Sequence, residues 1–482
     1  MMDQFSLSPM FLWTDLMIWG LFVLLVIGIV QIRKDPQKSQ QWRAVFASKT
    51  AMAAGIVLAF YFLVALADSV HFKIDTIASS SQATTESVSK FTNKSMVSLL
   101  DLSLMHLIEN SERTYSAPFA TKEYSSSVVY DELGQVSQQY LPLKNVINLS
   151  ELGISESSYF TQKTATAFGF ALIFILVLFA VQKILQTSAK LLKNKKRHGV
   201  KELSNIELTS SPLPLKTAYL TLFLIGFTFI WLYILSFDFH VLGTNKVGED
   251  VLYQSIKSIR TGVLIGGLTT IVMLPLALIL GISAGYFKGW IDDIIQYLYT
   301  TLNSIPGVLL IAAAVLVMQS IMSNNPDWFG STEERADMRL LFLILILGMT
   351  SWTGLCRLLR AETLKISQIE YVTAAKAFGL HPFTIIRRHI YPNLVHLILI
   401  ALVLDFSGLV LAEAVLSYVG VGVDPTMPSW GNMINQARLE MAREPMVWWS
   451  LLSAFCFMFV LVLAANLFAD RVQWVLNPKN EK

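Results

Sequence analysis

The sequence predicts an all-α, polytopic integral membrane protein with about nine membrane-crossing helices. Three observations lead there. Hydrophobic residues make up 54% of the 482 residues and charged residues only 15%, against roughly 25% charged in an average soluble domain. The apolar residues gather into runs that approach or exceed the roughly 20 residues needed to cross a bilayer. Lys and Arg concentrate in particular loops between those runs, as they do on the cytoplasmic side of a membrane. The formal net charge of +3 is too small to point to nucleic acid.

The runs lie near 11–31, 51–67, 166–187, 217–237, 261–286, 306–322, 340–356, 394–416 and 447–468. The first, in "MMDQFSLSPMFLWTDLMIWGLFVLLVIGIVQIRK", has no basic leader and no small-residue cleavage site, so it reads as an uncleaved membrane helix. The stretch 68–165 is Ser- and Thr-rich and mixed in charge, a long outer loop or small lobe in which "SLLDLSLMHLIEN" has helical periodicity. Pro275 is expected to kink its span and Pro306 to open the next. Trp448 and Trp449 are expected in an aromatic belt at a helix end. Cys356 and Cys456 fall in or beside apolar runs without metal-ligand spacing and read as structural thiols.

Orientation follows from the short loops. Arg33, Lys34, Lys38 and Arg43 occupy the first, and Lys190, Lys193, Lys195, Lys196, Arg197 and Lys201 follow the third run. Lys376, Arg387 and Arg388 lie before the eighth, with Arg357 and Arg360 just upstream. An odd number of crossings puts all three loops on one side, expected to be the cytoplasm, with the N-terminus outside and the C-terminus inside.

One polar insert, "EYVTAAKAFGLHPFTIIRRHIYPN" at 370–393, stands between two apolar runs. Ala374, Ala375 and Ala377 favour a helix with a small-residue face that another surface can approach. Gly379 suits a helix stop and Pro382 the first turn of a second helix. Pro392 is expected to end or kink that helix before the next span. The expected form is a helix–turn–helix on the cytoplasmic face, either a solvated connector or a docking element for a soluble partner.

The Ala374-Ala375 pair, Gly379 and Pro392 resemble the "EAA" coupling motif of ABC importer permeases, with Thr373 where the family has its leading Glu. The whole insert resembles the C-type permease subunit of the dipeptide/oligopeptide branch. "HVLGTNKVGEDVL" (240–252), "GYFKGWIDD" (285–293), "LAEAVLSYVGVGVDPTMPSWGNMI" (411–434) and "NLFADRVQWVLNP" (466–478) resemble further segments of that branch, in the same order. Asn245 and Glu249 depart from its usual Asp and Arg. "WRAVFASKTAMAAGIVLAFYFLVALA" (42–67) looks like the family's first span, which makes the first helix an addition and the segment up to about 237 an insertion.

The resemblance implies a type I ABC importer permease core at 238–482, preceded by N-terminal membrane helices (1–67), the outer stretch (68–165) and further helices with a basic loop (166–237). It also implies an ATPase-coupling role for Glu370, Thr373, Ala374, Ala375, Gly379, Arg387, His389 and Pro392. Partners would be a second, B-type permease beside this chain in the lipid of the bacterial inner membrane, two ATPase subunits docked below it and an extracytoplasmic substrate-binding protein. No G-x-x-x-x-G-K-[ST] loop occurs. ATP and Mg are therefore expected on the partner subunits, and this chain is expected to bind no cofactor, hold no metal and catalyse nothing. Asp405 and Glu413, eight residues apart in one span, are ionisable groups at costly depth. They suit a structural pair or a cavity-lining place on the translocation path. A rival reading is an ion-coupled secondary transporter using those carboxylates.

Overall fold

The structure, a computed structural model, describes residues 5–76, 96–130, 136–147, 155–196 and 213–476. Among these residues nine helices are long and apolar enough to cross a membrane, as the runs predict, and four of them extend well beyond the runs. A short strand, β1 (Phe5–Met10), precedes α1 (Trp13–Lys34), which ends on Arg33 and Lys34, where cations complement the helix dipole. Asp35 caps α2 (Pro36–Phe46), its carboxylate accepting from the Gln37 N–H at 3.1 Å, with Pro36 in the first turn. The second span is α3 (Lys49–Asp68).

Sequence periodicity missed the strands. Strands β2 (His71–Thr76) and β3 (Met96–Ser98) join β1 in an antiparallel sheet of order β1-β2-β3, registered Phe5↔Thr76 and His71↔Ser98. "SLLDLSLMHLIEN" forms two short helices, α4 (Leu99–Ser103), closed by a Ser98–Asp101 capping box, and α5 (Met105–Glu109). A hairpin of β4 (Ser127–Tyr130) and β5 (Val136–Gln139) follows. Helix α6 (Glu156–Lys196) starts inside the expected outer stretch and packs along α7 (Leu215–Leu235) through aromatic contacts such as Phe168–Phe223, centroids 5.4 Å apart.

The remaining helices are α8 (Val251–Phe287), α9 (Gly289–Ser304), α10 (Gly307–Asn324), α11 (Thr332–Ile366), α12 (Glu370–Ala377), α13 (Pro382–Ile385), α14 (Tyr391–Tyr418), α15 (Trp430–Glu440) and α16 (Trp449–Leu476). The periodicity reading had no α9 or α15. Pro275 lies inside α8 and Pro306 caps α10. Trp449 is buried in the protein, which corrects its expected place in an aromatic belt; Trp448 beside it is exposed. Helices α8 and α11 approach closely because two glycines of α8 present no side chain. A Cβ at Gly281 would stand 2.8 Å from the Cys356 carbonyl oxygen, and one at Gly285 would stand 2.7 Å from that of Arg360.

The chain divides into two compact units. One draws on Met1–Val30, Phe60–Glu109 and Tyr253–Lys482, the other on Gln31–Ala59 and Asn110–Leu252. The first holds a buried network of charges. Arg260 of α8 donates to Asp15 of α1 at 2.7 Å and to Thr14 at 2.8 Å, and Thr14 in turn donates to Asp337 of α11. His71 of β2 meets the other Asp15 oxygen at 2.7 Å. One turn before Arg260, Lys257 contacts Asp101 at 2.5 Å and Asp68 at 3.5 Å, Tyr253 donates to Asp101 and Ser98 to Asp68. Buried charges survive only when paired and hydrogen-bonded in this way.

The second unit has its own buried centre. His240 bonds Asp250 through Nδ1 at 2.8 Å, and its Nε2 stands 3.7 Å from the Glu112 carboxylate. Glu112 accepts from the backbone N–H groups of Lys144 and Asn145, fastening the 140s to the segment before α8. Asn245, a departure from the branch pattern, organises the turn there. Its side-chain oxygen accepts from the N–H groups of Val247 and Glu249, and its amide donates to the Glu249 carboxylate at 3.2 Å.

Candidate functional site

The insert at 370–393 folds as expected up to its second helix. Helix α12 stops in a Schellman turn, in which the Gly379 N–H reaches the Lys376 carbonyl and the Leu380 N–H that of Ala375. Gly379 carries φ +73°, a left-handed conformation that favours glycine. His381 caps α13 and Pro382 takes its first turn. The expected break at Pro392 is absent. Instead, residues Ile386–Ile390 widen into a π-helical turn, with the Tyr391 N–H bonding back five residues to Ile386, and α14 starts without interruption. A proline inside an α-helix lacks an N–H and clashes with the carbonyl four residues back, and the wider π turn opens that spacing.

Two faces of α12 have separate environments. Val372 and Ala375 are buried in one apolar cluster with Ile385, Ile390, Leu394, Tyr286 of α8 and Leu359 of α11. Ala375, at 7% exposure, therefore serves packing within the chain, and the small-residue face expected to receive a partner reduces to Ala374 and Ala377, both exposed. Glu370 and Thr373 are exposed in the first turns, with the Thr373 hydroxyl donating to the Glu370 carbonyl at 2.9 Å. Arg387 and Pro392 are exposed and His389 is half-buried.

Sequence reasoning passed over the apolar residues on the open side. Phe378, the C-cap residue, is 87% exposed and Phe383 65%, with Leu380 and Tyr371 exposed beside them in the sequence. Large apolar groups left uncovered by the chain in such a run make a candidate interaction surface. The Lys376 ammonium lies 4.4 Å from the centre of the Tyr286 ring. Partial burial, and then the nearby Lys288 charge, hold its pKa below the usual lysine value.

The two intramembrane carboxylates do not share one environment. Glu413 is fully buried and accepts from Ser417 at 2.7 Å, a bond within its own helix. Asp405 is half-buried, and among the described residues none donates a hydrogen bond to it. Two residues on, Ser407 donates to Asn466 of α16 at 2.9 Å.

Residues 277–482 match the family described as binding-protein-dependent transport system inner membrane component. The chain is 31% identical over 240 residues to the glutathione transport system permease protein GsiD of Pectobacterium atrosepticum, covering 50% of this chain and 73% of that protein. It is 28% identical over 240 residues to the dipeptide transport system permease protein DppC of Bacillus subtilis, covering 50% of this chain and 69% of the relative. With the oligopeptide transport system permease protein OppC of Haemophilus influenzae it shares 28% over 243 residues, covering 50% and 71%. A solved MetNI methionine ABC transporter in inward-facing conformations overlays 48% of this chain and 99% of that chain, at a TM-score of 0.38 and 15% identity, too distant to add to the argument. The chain belongs to the binding-protein-dependent transport system inner membrane components and is a multi-pass permease subunit of an ABC importer.

Proposed function

We propose that this permease serves a peptide importer and that α12 and the turn after it are where a separate ATPase subunit docks. The exposed run Tyr371, Phe378, Leu380 and Phe383 carries the reading. In water such a surface is unfavourable, and a partner that buries it gains on the order of 25 cal/mol per Å² of apolar area. Around it, Glu370, Thr373, Ala374, Gly379, Arg387, His389 and Pro392 form or shape the docking element, and Ala375 supports it from beneath. ATP and Mg are held by two such ATPases. A B-type permease completes the path, and an extracytoplasmic binding protein delivers the peptide. The basic loops face the cytoplasm, with the N-terminus outside and the C-terminus inside. The names of the relatives, which include glutathione, dipeptide and oligopeptide systems, support the cargo class.

Asp405 belongs to the permease interior in this reading, since a carboxylate that receives no hydrogen bond among the described residues costs about 3 kcal/mol against lipid. Glu413 has its hydrogen bond already and contributes to packing.

Phe378→Asp tests the docking surface. The variant is expected to insert normally and to lose co-purification of the ATPase subunits, because Phe378 makes no part of the buried core. Full ATPase recovery together with normal uptake would refute the assignment.

A further inference from the structure

The turn between the docking helix and α14 contains a hydrogen-bonded constellation centred on Asn393, a residue outside the docking surface described above. Asn393, exposed in the first turn of α14, uses its side-chain amide twice. It donates to the Tyr371 hydroxyl of α12 at 3.0 Å and to the backbone carbonyl of His389 in the π-helical turn at 2.6 Å. The Tyr371 ring also stands against the His389 ring, centroids 5.9 Å apart. The amide has two N–H donors, so a single side chain engages the first turn of α12, the π turn and the start of α14 together.

Geometry makes that bridge consequential. A π-helical turn is a rare local departure from the α-helical hydrogen-bond ladder, found mostly at functional sites, and here it lies in the direct chain connection from the docking helix to a membrane span. Left alone, it would let α12 tilt without moving α14. On its other side α12 has no such slack, since Val372 and Ala375 are buried with Tyr286 and Leu359, and Lys376 lies on the Tyr286 ring.

We propose that Asn393 is a positioning residue that clasps α12 to α14 across the π turn, so that displacement of the docking helix reaches the span instead of being absorbed at Ile386–Ile390. The inference rests on α12 being the ATPase-docking helix. Asn393 touches neither cargo nor nucleotide, and its effect is on how much of the ATPase stroke is delivered.

The test uses the assembled transporter in proteoliposomes, with tripeptide as cargo, and compares wild type with Asn393→Ala, Tyr371→Phe and the double variant. Asn393→Ala is expected to keep ATPase co-purification, thermal stability, basal hydrolysis and the KM for cargo. Tripeptide taken up per ATP is expected to fall by roughly tenfold, the scale on which losing one or two hydrogen bonds acts. Tyr371→Phe, which keeps the ring on His389, is expected to fall less, and the double variant to match Asn393→Ala.

A second readout does not depend on cargo. Spin labels at Ala377 and Leu404, in a Cys456→Ser background, are expected to report a narrow distance distribution in wild type and a broad one in Asn393→Ala. Unchanged uptake per ATP with an unchanged distribution would overturn the proposal. So would additive effects of the two substitutions, or loss of the ATPases from Asn393→Ala, which would place Asn393 in the docking surface itself. Failure of the docking assignment is read separately, from Phe378→Asp.

Discussion

Replacing Asp15 by Ala removes the carboxylate that faces Arg260 and leaves the guanidinium without its principal counter-charge. Asp15 is 0% exposed and Arg260 5%, so water does not replace what is lost. Arg260 would keep Thr14 at 2.8 Å and the Asp337 carboxylate at 3.9 Å, too far for a direct hydrogen bond. His71 would lose its partner as well. Breaking a buried pair from one side typically costs about 3–5 kcal/mol, a large share of the roughly 5–15 kcal/mol that holds an ordinary domain folded. The assay is thermal unfolding of the detergent-purified protein, read beside Asp15→Asn and the double variant Asp15→Leu/Arg260→Met. The Ala variant should be much the least stable. The double variant should recover most of the loss, because it removes both desolvated charges together. Asp15→Ala within about 1 kcal/mol of wild type would refute the reasoning, and so would a double variant as unstable as the single.

The segment of the second unit around His240 should respond to pH. Burial opposes the charged form of His240, but the bond to Asp250 and the Glu112 carboxylate outweigh it and raise the pKa from 6.5 to about 9. A raised folded-state value means that the stabilisation is complete below pH 6.5 and is lost as pH climbs through about 9. Amide exchange around Lys144 and Asn145, corrected for intrinsic rate, should accelerate over that window and cease to do so in His240→Asn. Asp405→Asn should assemble with the second permease, and Asp405→Leu should assemble poorly if the group is a hydrogen-bonding partner there. If its charge meets the cargo, both variants should assemble and show weakened uptake. Normal assembly and uptake in the Leu variant would exclude either role.

The membrane spans were legible because burial in lipid demands an unbroken apolar run, a signal local in sequence. The features that fix the N-terminal segment were not. Strand β1 is six residues, "FSLSPM", and takes its meaning only from pairing with residues 71–76. The buried network joins Thr14 to Asp337, 323 positions apart, and each acid taken alone reads as a polar residue near a helix end. Helices α9 and α15 carry buried and exposed residues on opposite sides and lack the continuous run that marks a span. In the insert at 370–393, the glycine stop and the proline start were legible from backbone chemistry. Which alanine faces inward was not, since Ala374 and Ala375 are identical side chains and only tertiary packing separates them. Phe378 was passed over because an apolar residue at a helix end is more often core than surface.

Helix α8 connects these two kinds of feature. Near its last turn Tyr286 receives Lys376 of α12, and near its first turns Lys257 and Arg260 are held by carboxylates of α1, α3 and α4. Those grips are 29 residues apart, about 44 Å at the rise of an α-helix. The C-terminal half is also pressed onto α11 at Gly281 and Gly285. The N-terminal half is tied to α1, α3 and α4 through charges that are costly to separate. Between the two grips lies Pro275, which donates no hydrogen bond to the preceding turn and so weakens the helix at one place. If the end of α8 near α12 were displaced while the charge network stayed intact, α8 would have to bend, and the bend is expected at Pro275, where a backbone bond is already missing. The charge network on this argument does more than anchor α1: it resists displacement of the N-terminal end of α8.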